Sequence, residues 1–119
     1  MKTPLILVNF KTYETGTGDH ALRIAKLCEE VANETGVSIA IAVQPTDLRM
    51  IAEAVQIPVF AQHVDGISFG SNTGHILPHA IKQAGASGTL LNHSEDRYSD
   101  ENLTAAMKAC KDNGIFVIA

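Results

Sequence analysis

Residues 5–11 have the sequence Leu-Ile-Leu-Val-Asn-Phe-Lys, in which four apolar side chains in a row lead into an amide and an ammonium group. A short run that is apolar at every position, without alternation, is typical of a parallel β-strand buried on both faces. Four further runs of this kind follow, at residues 37–43, 57–61, 89–91 and 115–119. The sequence therefore predicts five buried parallel strands.

Segments with helical periodicity separate these runs. Asp19, Thr46 and Ser99 are placed to cap three of the predicted helices, and Pro78 is placed in the first turn of another. In the last helix, Met107 is expected on the buried face. The order β-α-β-α-β-α-β-α-β predicts an α/β fold with a parallel sheet and right-handed crossovers. Residues 1–119 are expected to form a single domain.

Composition excludes several classes of protein. The 119 residues carry a net charge of −4, and the nine Lys and Arg residues are scattered, so we expect no nucleic-acid partner. No apolar run reaches the roughly 18 residues that a membrane helix needs, and the first residues do not resemble a signal peptide. A cytoplasmic protein without a membrane partner is expected. Cys28 and Cys110 form no metal-binding or disulfide pattern and are expected to be small buried side chains.

Two architectures fit five strands and four helices. One is an open, doubly wound sheet of flavodoxin type, and the other is part of an eight-stranded barrel, of which this length is about half. A phosphoacceptor domain with an open sheet needs an acidic pair after strand one and a lysine after strand five, and only Asp65 fits its pattern. Periodicity leaves the two architectures open. In both, the chemistry lies at the carboxyl ends of the strands.

The strand ends carry groups suited to an anionic ligand. Asn9 and Lys11 follow strand one, and an amide with an ammonium group two residues away suits an oxygen-rich anion. His93 follows strand four, where an imidazole can act as acid, base or electrophile. His63, after strand three, is assigned no chemistry. A long loop at residues 66–75 follows it and is expected to have a functional or interface role.

A metal site is not expected. His75 and His79 have the spacing of a helical metal pair, but Pro78 lies between them and no third ligand is evident.

Four motifs, taken together, resemble the triosephosphate isomerase family, and in particular its short archaeal form. They are Val-Asn-Phe-Lys-Thr-Tyr at residues 8–13, Ala-Gln-His-Val-Asp at 61–65, Thr-Gly-His at 73–75 and Leu-Asn-His-Ser-Glu at 91–95. The resemblance implies a (β/α)8 barrel, of which this chain is a (β/α)4-β5 partial barrel. It also implies the interconversion of dihydroxyacetone phosphate and glyceraldehyde 3-phosphate in glycolysis and gluconeogenesis, without a cofactor.

The resemblance also implies roles for single residues. Asn9 and Lys11 match the pair that binds the substrate, and Lys11 also takes part in catalysis. His93 matches the neutral imidazole that polarises the substrate carbonyl, and Glu95 matches the acidic residue that supports its hydrogen bonds. Thr73, together with Gly74, matches the loop that reaches into the neighbouring subunit of a homo-oligomer, either a dimer or a tetramer.

Two departures qualify the resemblance. Asp96 stands where the family commonly has a basic residue, and only Arg97 matches, which puts an ion pair between subunits in doubt. The general-base glutamate and the phosphate-binding loops of the family follow later strands. We therefore expect residues 1–119 to be the N-terminal half of the barrel, inactive alone. The alternative is a non-catalytic half-barrel that self-associates or complements a separate C-terminal half.

Overall fold

Strands and helices alternate along the whole chain, as predicted. The computed structural model describes all of residues 1–119. The strands are β1 (Leu5–Asn9), β2 (Ser38–Val43), β3 (Val59–Ala61), β4 (Gly88–Leu90) and β5 (Phe116–Ile118). The helices are α1 (Asp19–Thr35), α2 (Leu48–Ala54), α3 (Pro78–Gln83) and α4 (Asp100–Asp112), and a 3-10 turn (Glu14–Gly16) precedes α1. None of these helices has both the length and the apolar character needed to cross a membrane.

The order of the strands distinguishes between the two architectures. Each strand pairs in parallel with the next one along the chain, so that the sheet order is β1-β2-β3-β4-β5. A doubly wound sheet reverses its order at a switch point, whereas a barrel adds strands in sequence. The sheet is therefore a (β/α)4-β5 partial barrel, and the predicted fold is confirmed.

The two faces of the sheet are packed differently. We call the face under the helices the outer face, where a cluster of 17 buried residues joins strand side chains such as Ile41 and Val59 to Ala25 of α1 and Ile51 of α2. The opposite, inner face has a cluster of only four buried residues: Ala40, Ala42, Phe60 and Leu90. Most of the buried apolar core therefore lies between the sheet and the helices.

The two edge strands are less buried than predicted. Every residue of β2 after Ser38 is buried, but Ile6 of β1 is 53% exposed. In β5, Phe116 is 62% and Ile118 is 41% exposed. The prediction of burial on both faces is wrong for β1 and β5, because each has a neighbouring strand on one side only.

Two of the predicted helix starts are confirmed. The Ser99 side chain caps α4 and accepts a hydrogen bond from the backbone N–H of Asn102 at 3.1 Å. Pro78 is the first residue of α3, where its missing N–H costs nothing.

The other two predicted caps are wrong. The residue that caps α1 is Gly18, and Asp19 is already helical. Asp47, not Thr46, precedes α2, and its carboxylate accepts a hydrogen bond from the Gly18 N–H at 3.0 Å. The Asp47 side chain, which precedes α2, thus accepts a hydrogen bond at the start of α1. The two residues are far apart in the sequence, so the local sequence does not predict this contact.

The sequence predicts that the side chains of Cys28, Met107 and Cys110 are buried, and the structure confirms this fully only for Cys110. Cys110 of α4 is fully buried, and burial raises its pKa to about 11. Cys28 is only partly buried, although it packs against the outer-face core. Met107 is 46% exposed, so its predicted position on the buried face is wrong. Ala106, one residue earlier, lies in the core instead.

Candidate active site

A polar cavity of about 370 Å³ opens at the carboxyl ends of the strands. Its residues lie at the ends of β1 to β4 or in the segments that follow these strands, because a parallel sheet brings consecutive strand ends to one edge. Nine of its 11 lining residues have side chains with a polar group; the lining consists of Asn9, Lys11, Thr12, Tyr13, Pro45, Gln62, His63, Leu90, His93, Glu95 and Asp96. The structure thus brings together all four residues predicted to bind substrate or act in catalysis: Asn9, Lys11, His93 and Glu95.

The backbone of Lys11 is held in an unusual conformation. Its φ of 53° lies in the left-handed region, which residues other than glycine seldom adopt. The Lys11 N–H donates to Asn9 Oδ1 at 2.9 Å, and Gln62 Nε2 donates to the Lys11 carbonyl at 2.9 Å. These two hydrogen bonds hold the strained residue in place, which is a common arrangement at functional sites. The Asn9 oxygen therefore positions Lys11.

The ammonium group of Lys11 faces the cavity and is only loosely paired. Its Nζ lies 3.4 Å from Glu95 Oε2 and 5.8 Å from the centre of the Tyr13 ring. The Glu95 side chain is 60% exposed, and ion pairs of such exposure contribute about 0–1 kcal/mol. An anionic ligand can therefore compete with Glu95 for Lys11 at little cost.

A backbone donor faces the ring of His93. The backbone N–H of Glu95 donates to His93 Nδ1 at 3.1 Å. A ring nitrogen accepts a hydrogen bond only when it carries no proton, so this contact favours the neutral imidazole with its proton on Nε2. Glu95 Oε1 lies 3.5 Å from the same Nδ1, which is too long for a strong hydrogen bond, and the shorter, aligned backbone contact determines the assignment.

The connection around His93 is also fixed by its neighbours. Asn92 has a φ of 59°, and its Oδ1 accepts a hydrogen bond from the Tyr98 N–H at 3.0 Å. The Tyr98 hydroxyl in turn contacts the Val64 carbonyl and accepts from the Val64 N–H. Burial is the main reason that the pKa of Tyr98 is raised far above its usual value. Tyr98 thus connects the segment after β4 to the segment after β3 through its hydrogen bonds with Asn92 and Val64.

His63, to which the sequence assigned no chemistry, lies between two carboxylates. Its Nε2 is 3.0 Å from Asp65 Oδ1, and its Nδ1 is 3.0 Å from Asp96 Oδ2. Its ring stacks on Tyr98 with the ring centres 4.7 Å apart. Asp96, which departs from the family pattern, thus has a partner within this chain.

Asp65 closes the base of the long loop after β3. Its Oδ2 accepts a hydrogen bond from the Ile76 N–H at 2.7 Å, and its own N–H donates to the Ile76 carbonyl at 2.9 Å. Burial alone raises the pKa of Asp65, but the hydrogen bonds from Ile76 and His63 outweigh it, and the pKa is lowered. The carboxylate is therefore ionised in the folded protein at neutral pH.

Thr73 and Gly74 lie on the same long loop, away from the cavity lining. Both are exposed, and Gly74 has a φ of 88°. Phe69, on this loop, is 75% exposed and packs edge-on against His79. No group of three or more His, Cys, Asp or Glu side chains is arranged to hold a metal ion.

Sequence reasoning missed Gln62, His63 and Tyr98 as members of the site. Gln62 and His63 directly follow β3, so the rule that placed Asn9 and His93 at strand ends applies equally to them. No comparable signal exists for Tyr98, because its role depends on the fold of the connection after β4.

A sequential parallel sheet with a polar cavity at the carboxyl ends of its strands defines a protein of the (β/α)8-barrel class. The family model of triosephosphate isomerase matches residues 4–119. The chain therefore belongs to the triosephosphate isomerase family.

Individual relatives agree with this assignment. The chain is 50% identical to the triosephosphate isomerase of Methanocaldococcus jannaschii over 114 residues and 47% identical to that of Methanosarcina acetivorans over 115 residues. These matches cover 96% and 97% of this chain and 52% of each relative. The crystal structure of the Bartonella henselae enzyme superposes with a TM-score of 0.84 at 26% identity, covering 96% of this chain and 49% of that one. The chain thus spans about half the length of the relatives it matches.

Proposed function

We propose that these residues form the N-terminal part of an active site that interconverts dihydroxyacetone phosphate and glyceraldehyde 3-phosphate, a step of glycolysis and gluconeogenesis in the cytoplasm. The observation that carries the proposal is the hydrogen bond from the Glu95 N–H to His93 Nδ1, which leaves a neutral imidazole with a donor Nε2–H in the same cavity as Lys11.

The proposed roles follow from where charge develops in the reaction. Removing a proton from the carbon next to a carbonyl places negative charge on the carbonyl oxygen, and a fixed donor and a nearby cation stabilise it. His93 supplies the donor and Lys11 supplies the cation. Lys11 also attracts the phosphate group of the substrate. Glu95 orients His93 through its backbone and restrains Lys11 through its carboxylate. No metal or cofactor takes part in this proposal.

The 119 residues alone are proposed to lack the general base. The cavity is lined by two carboxylates, and each is engaged: Glu95 contacts Lys11, and Asp96 contacts His63. A positioned general base contributes about 10²- to 10⁴-fold to such a rate. Full activity is therefore proposed to need the other half of the barrel, in a homo-oligomer whose interface includes Thr73 and Gly74.

An isomerisation assay of the 119-residue chain in both directions tests this function. We expect turnover at least about 100-fold below that of the full-length Methanocaldococcus jannaschii relative. We also expect saturable binding of dihydroxyacetone phosphate that Lys11→Met weakens and the exposed-surface control Lys108→Met does not. Turnover close to that of the relative contradicts the missing base. Binding that Lys11→Met leaves unchanged contradicts the site.

A second candidate is a non-catalytic half-barrel that self-associates or complements a separate C-terminal half. The exposed side chains of Phe116 and Ile118 and the open edges of β1 and β5 favour it, because unpaired strand edges and apolar faces promote association. Native mass spectrometry of the chain tests it. Association should be lost in Phe116→Lys but kept in Met107→Lys, a control on the exposed side of α4. A stable monomer argues against self-association.

A further inference from the structure

His63 joins the two segments that carry the site, and we propose that it does so as an imidazolium ion that neutralises Asp96 at the wall of the cavity. This inference rests on the triosephosphate site proposed above, in which His63 is a positioning residue. His63 sets the anion affinity of the cavity through its effect on Asp96.

Both ring nitrogens of His63 face a carboxylate oxygen, and the contact of Nε2 with Asp65 has hydrogen-bond geometry. Nε2 and Nδ1 each lie 3.0 Å from a carboxylate oxygen, of Asp65 and Asp96 respectively. An ionised carboxylate only accepts hydrogen bonds, and a neutral imidazole has a single N–H. In the neutral ring, one lone pair would therefore face a carboxylate oxygen at contact distance. The protonated ring has an N–H on each nitrogen and is attracted to both groups.

The surroundings of His63 favour this charged form. Asp65 is held ionised by the Ile76 N–H, which binds the oxygen that does not face His63. The Tyr98 ring stacks on the imidazole at an interplanar angle of 22° and presents its π face to the cation. About a quarter of the His63 side chain is exposed, so burial opposes the charge only in part.

The other charged groups near the cavity determine how the charge of His63 affects anion binding. Lys11 and Glu95, which form a pair, line the same cavity, and His75 acts on Asp65 from the long loop. Among the groups that line the cavity, Lys11 offsets Glu95, and a protonated His63 offsets Asp96; the ionised Asp65 contacts His63 but does not line the cavity. A cavity of net negative charge repels a phosphate or sulfate group, whereas a neutral one with a mobile lysine accepts it. Anion affinity should therefore fall as His63 loses its proton.

Two measurements on the full 119-residue chain test the proposal. The first is a two-bond ¹⁵N–¹H spectrum of the histidine side chains at neutral pH. We expect protons on both ring nitrogens of His63, in contrast to the single Nε2 proton of His93. In Asp96→Asn, we expect His63 to shift toward the neutral form. A single protonated nitrogen on His63 in the unchanged protein overturns the charge bridge.

The second measurement is the affinity for inorganic sulfate, whose charge stays constant between about pH 6 and 9. We expect sulfate to bind about three- to tenfold more weakly at the upper end of this range, the size of effect that one added charge has in a partly exposed cavity. His63→Gln, which cannot take up a proton, should remove most of this dependence. Asp96→Asn should strengthen sulfate binding at the upper end of the range. The matched control Asp112→Asn should not, because Asp112 is similarly exposed but pairs with Lys108 near the far end of α4.

The possible failures are distinguishable. A pH dependence that is unchanged in His63→Gln, or sulfate binding at high pH that is unchanged in Asp96→Asn, overturns the effect of the His63–Asp96 pair on anion binding. Sulfate that leaves the Lys11 signals unmoved at every pH contradicts the anion site, and with it the proposed function. The ring nitrogens of His63 decide the charge bridge independently of sulfate.

Discussion

The two faces of the sheet differ in how completely these residues cover them. On the outer face, 17 buried residues join the strands to the helices, and β2 contributes fully buried Ile41 and Val43. On the inner face, only four residues form a buried cluster, and Phe116 and Ile118 remain largely exposed. The difference indicates that most of the stability of the chain comes from the outer face, whereas the strand ends supply the site.

The largest predicted effect compares one isoleucine from each face. Ile41→Ala creates a cavity in the outer core and should lower the free energy of unfolding by about 2–5 kcal/mol. Ile118→Ala removes a side chain that is 41% exposed and should cost about 1 kcal/mol or less. Urea unfolding followed by circular dichroism measures both.

If Ile41→Ala does not fold, Ile41→Val offers a milder form of the same comparison, with an expected loss of about 0.5–1.5 kcal/mol. Equal losses from Ile41→Val and Ile118→Val would show that the two faces contribute alike, contrary to the difference described above.

The next largest effect is expected at Gly88, in the tightly packed part of the inner face around Phe60. A Cβ added at Gly88 lies 2.5 Å from the Phe60 ring and 2.8 Å from the Phe116 carbonyl oxygen. Gly88→Ala should therefore destabilise the protein by about 1–3 kcal/mol. Adding Phe60→Leu should recover part of the loss in a double-mutant cycle. A neutral Gly88→Ala would mean that the inner face is loose even around Phe60.

A similar or somewhat smaller loss of stability is expected at Tyr98, which joins the ends of β3 and β4. Tyr98→Phe removes the hydroxyl that contacts both the N–H and the carbonyl of Val64, which is fully buried. Leaving these backbone groups without a partner should cost about 1–2 kcal/mol in thermal or urea unfolding. Tyr13→Phe is the control, because Tyr13 is 61% exposed, and it should change stability little. Equal effects of the two substitutions would exclude this role for Tyr98.

The smallest effect concerns pH. The folded-state pKa of Asp65 is lowered, so its ionised form stabilises the fold above the unfolded-state value of about 4. This contribution is lost as pH falls from that value through the folded-state pKa. The urea midpoint should therefore decline on acidification, and Asp65→Asn should show a shallower decline. Identical pH profiles for the two proteins would assign the acid sensitivity to other carboxylates.

The sequence predicted much of the fold and part of the site. Apolar runs and helical periods located the elements, and the strand-end rule brought Asn9, Lys11 and His93 together correctly. Periodicity does not record which strands are neighbours, so the choice between open sheet and barrel came from motifs rather than from the pattern. The exposure of Phe116 could not be predicted for the same reason, because the sequence of a strand does not show that the strand lies at the edge of the sheet.

The remaining parts of the site depend on loop conformation. Lys11 adopts a left-handed backbone angle that its residue type does not predict, and Asn92 adopts one that asparagine tolerates but does not require. The contacts of Gln62 with Lys11 and of Tyr98 with Asn92 follow from those angles. Pairing between distant residues, such as His63 with Asp96, similarly requires the folded connections.

The most direct test of the proposed site is a titration of the 119-residue chain with dihydroxyacetone phosphate, followed by the side-chain nitrogen signals of His93 and Lys11. We predict that both sets of signals shift saturably, that His93 keeps a single proton on Nε2, and that no glyceraldehyde 3-phosphate accumulates. A doubly protonated His93, or signals that do not respond to the ligand, would contradict a neutral electrophile acting beside a substrate-binding lysine.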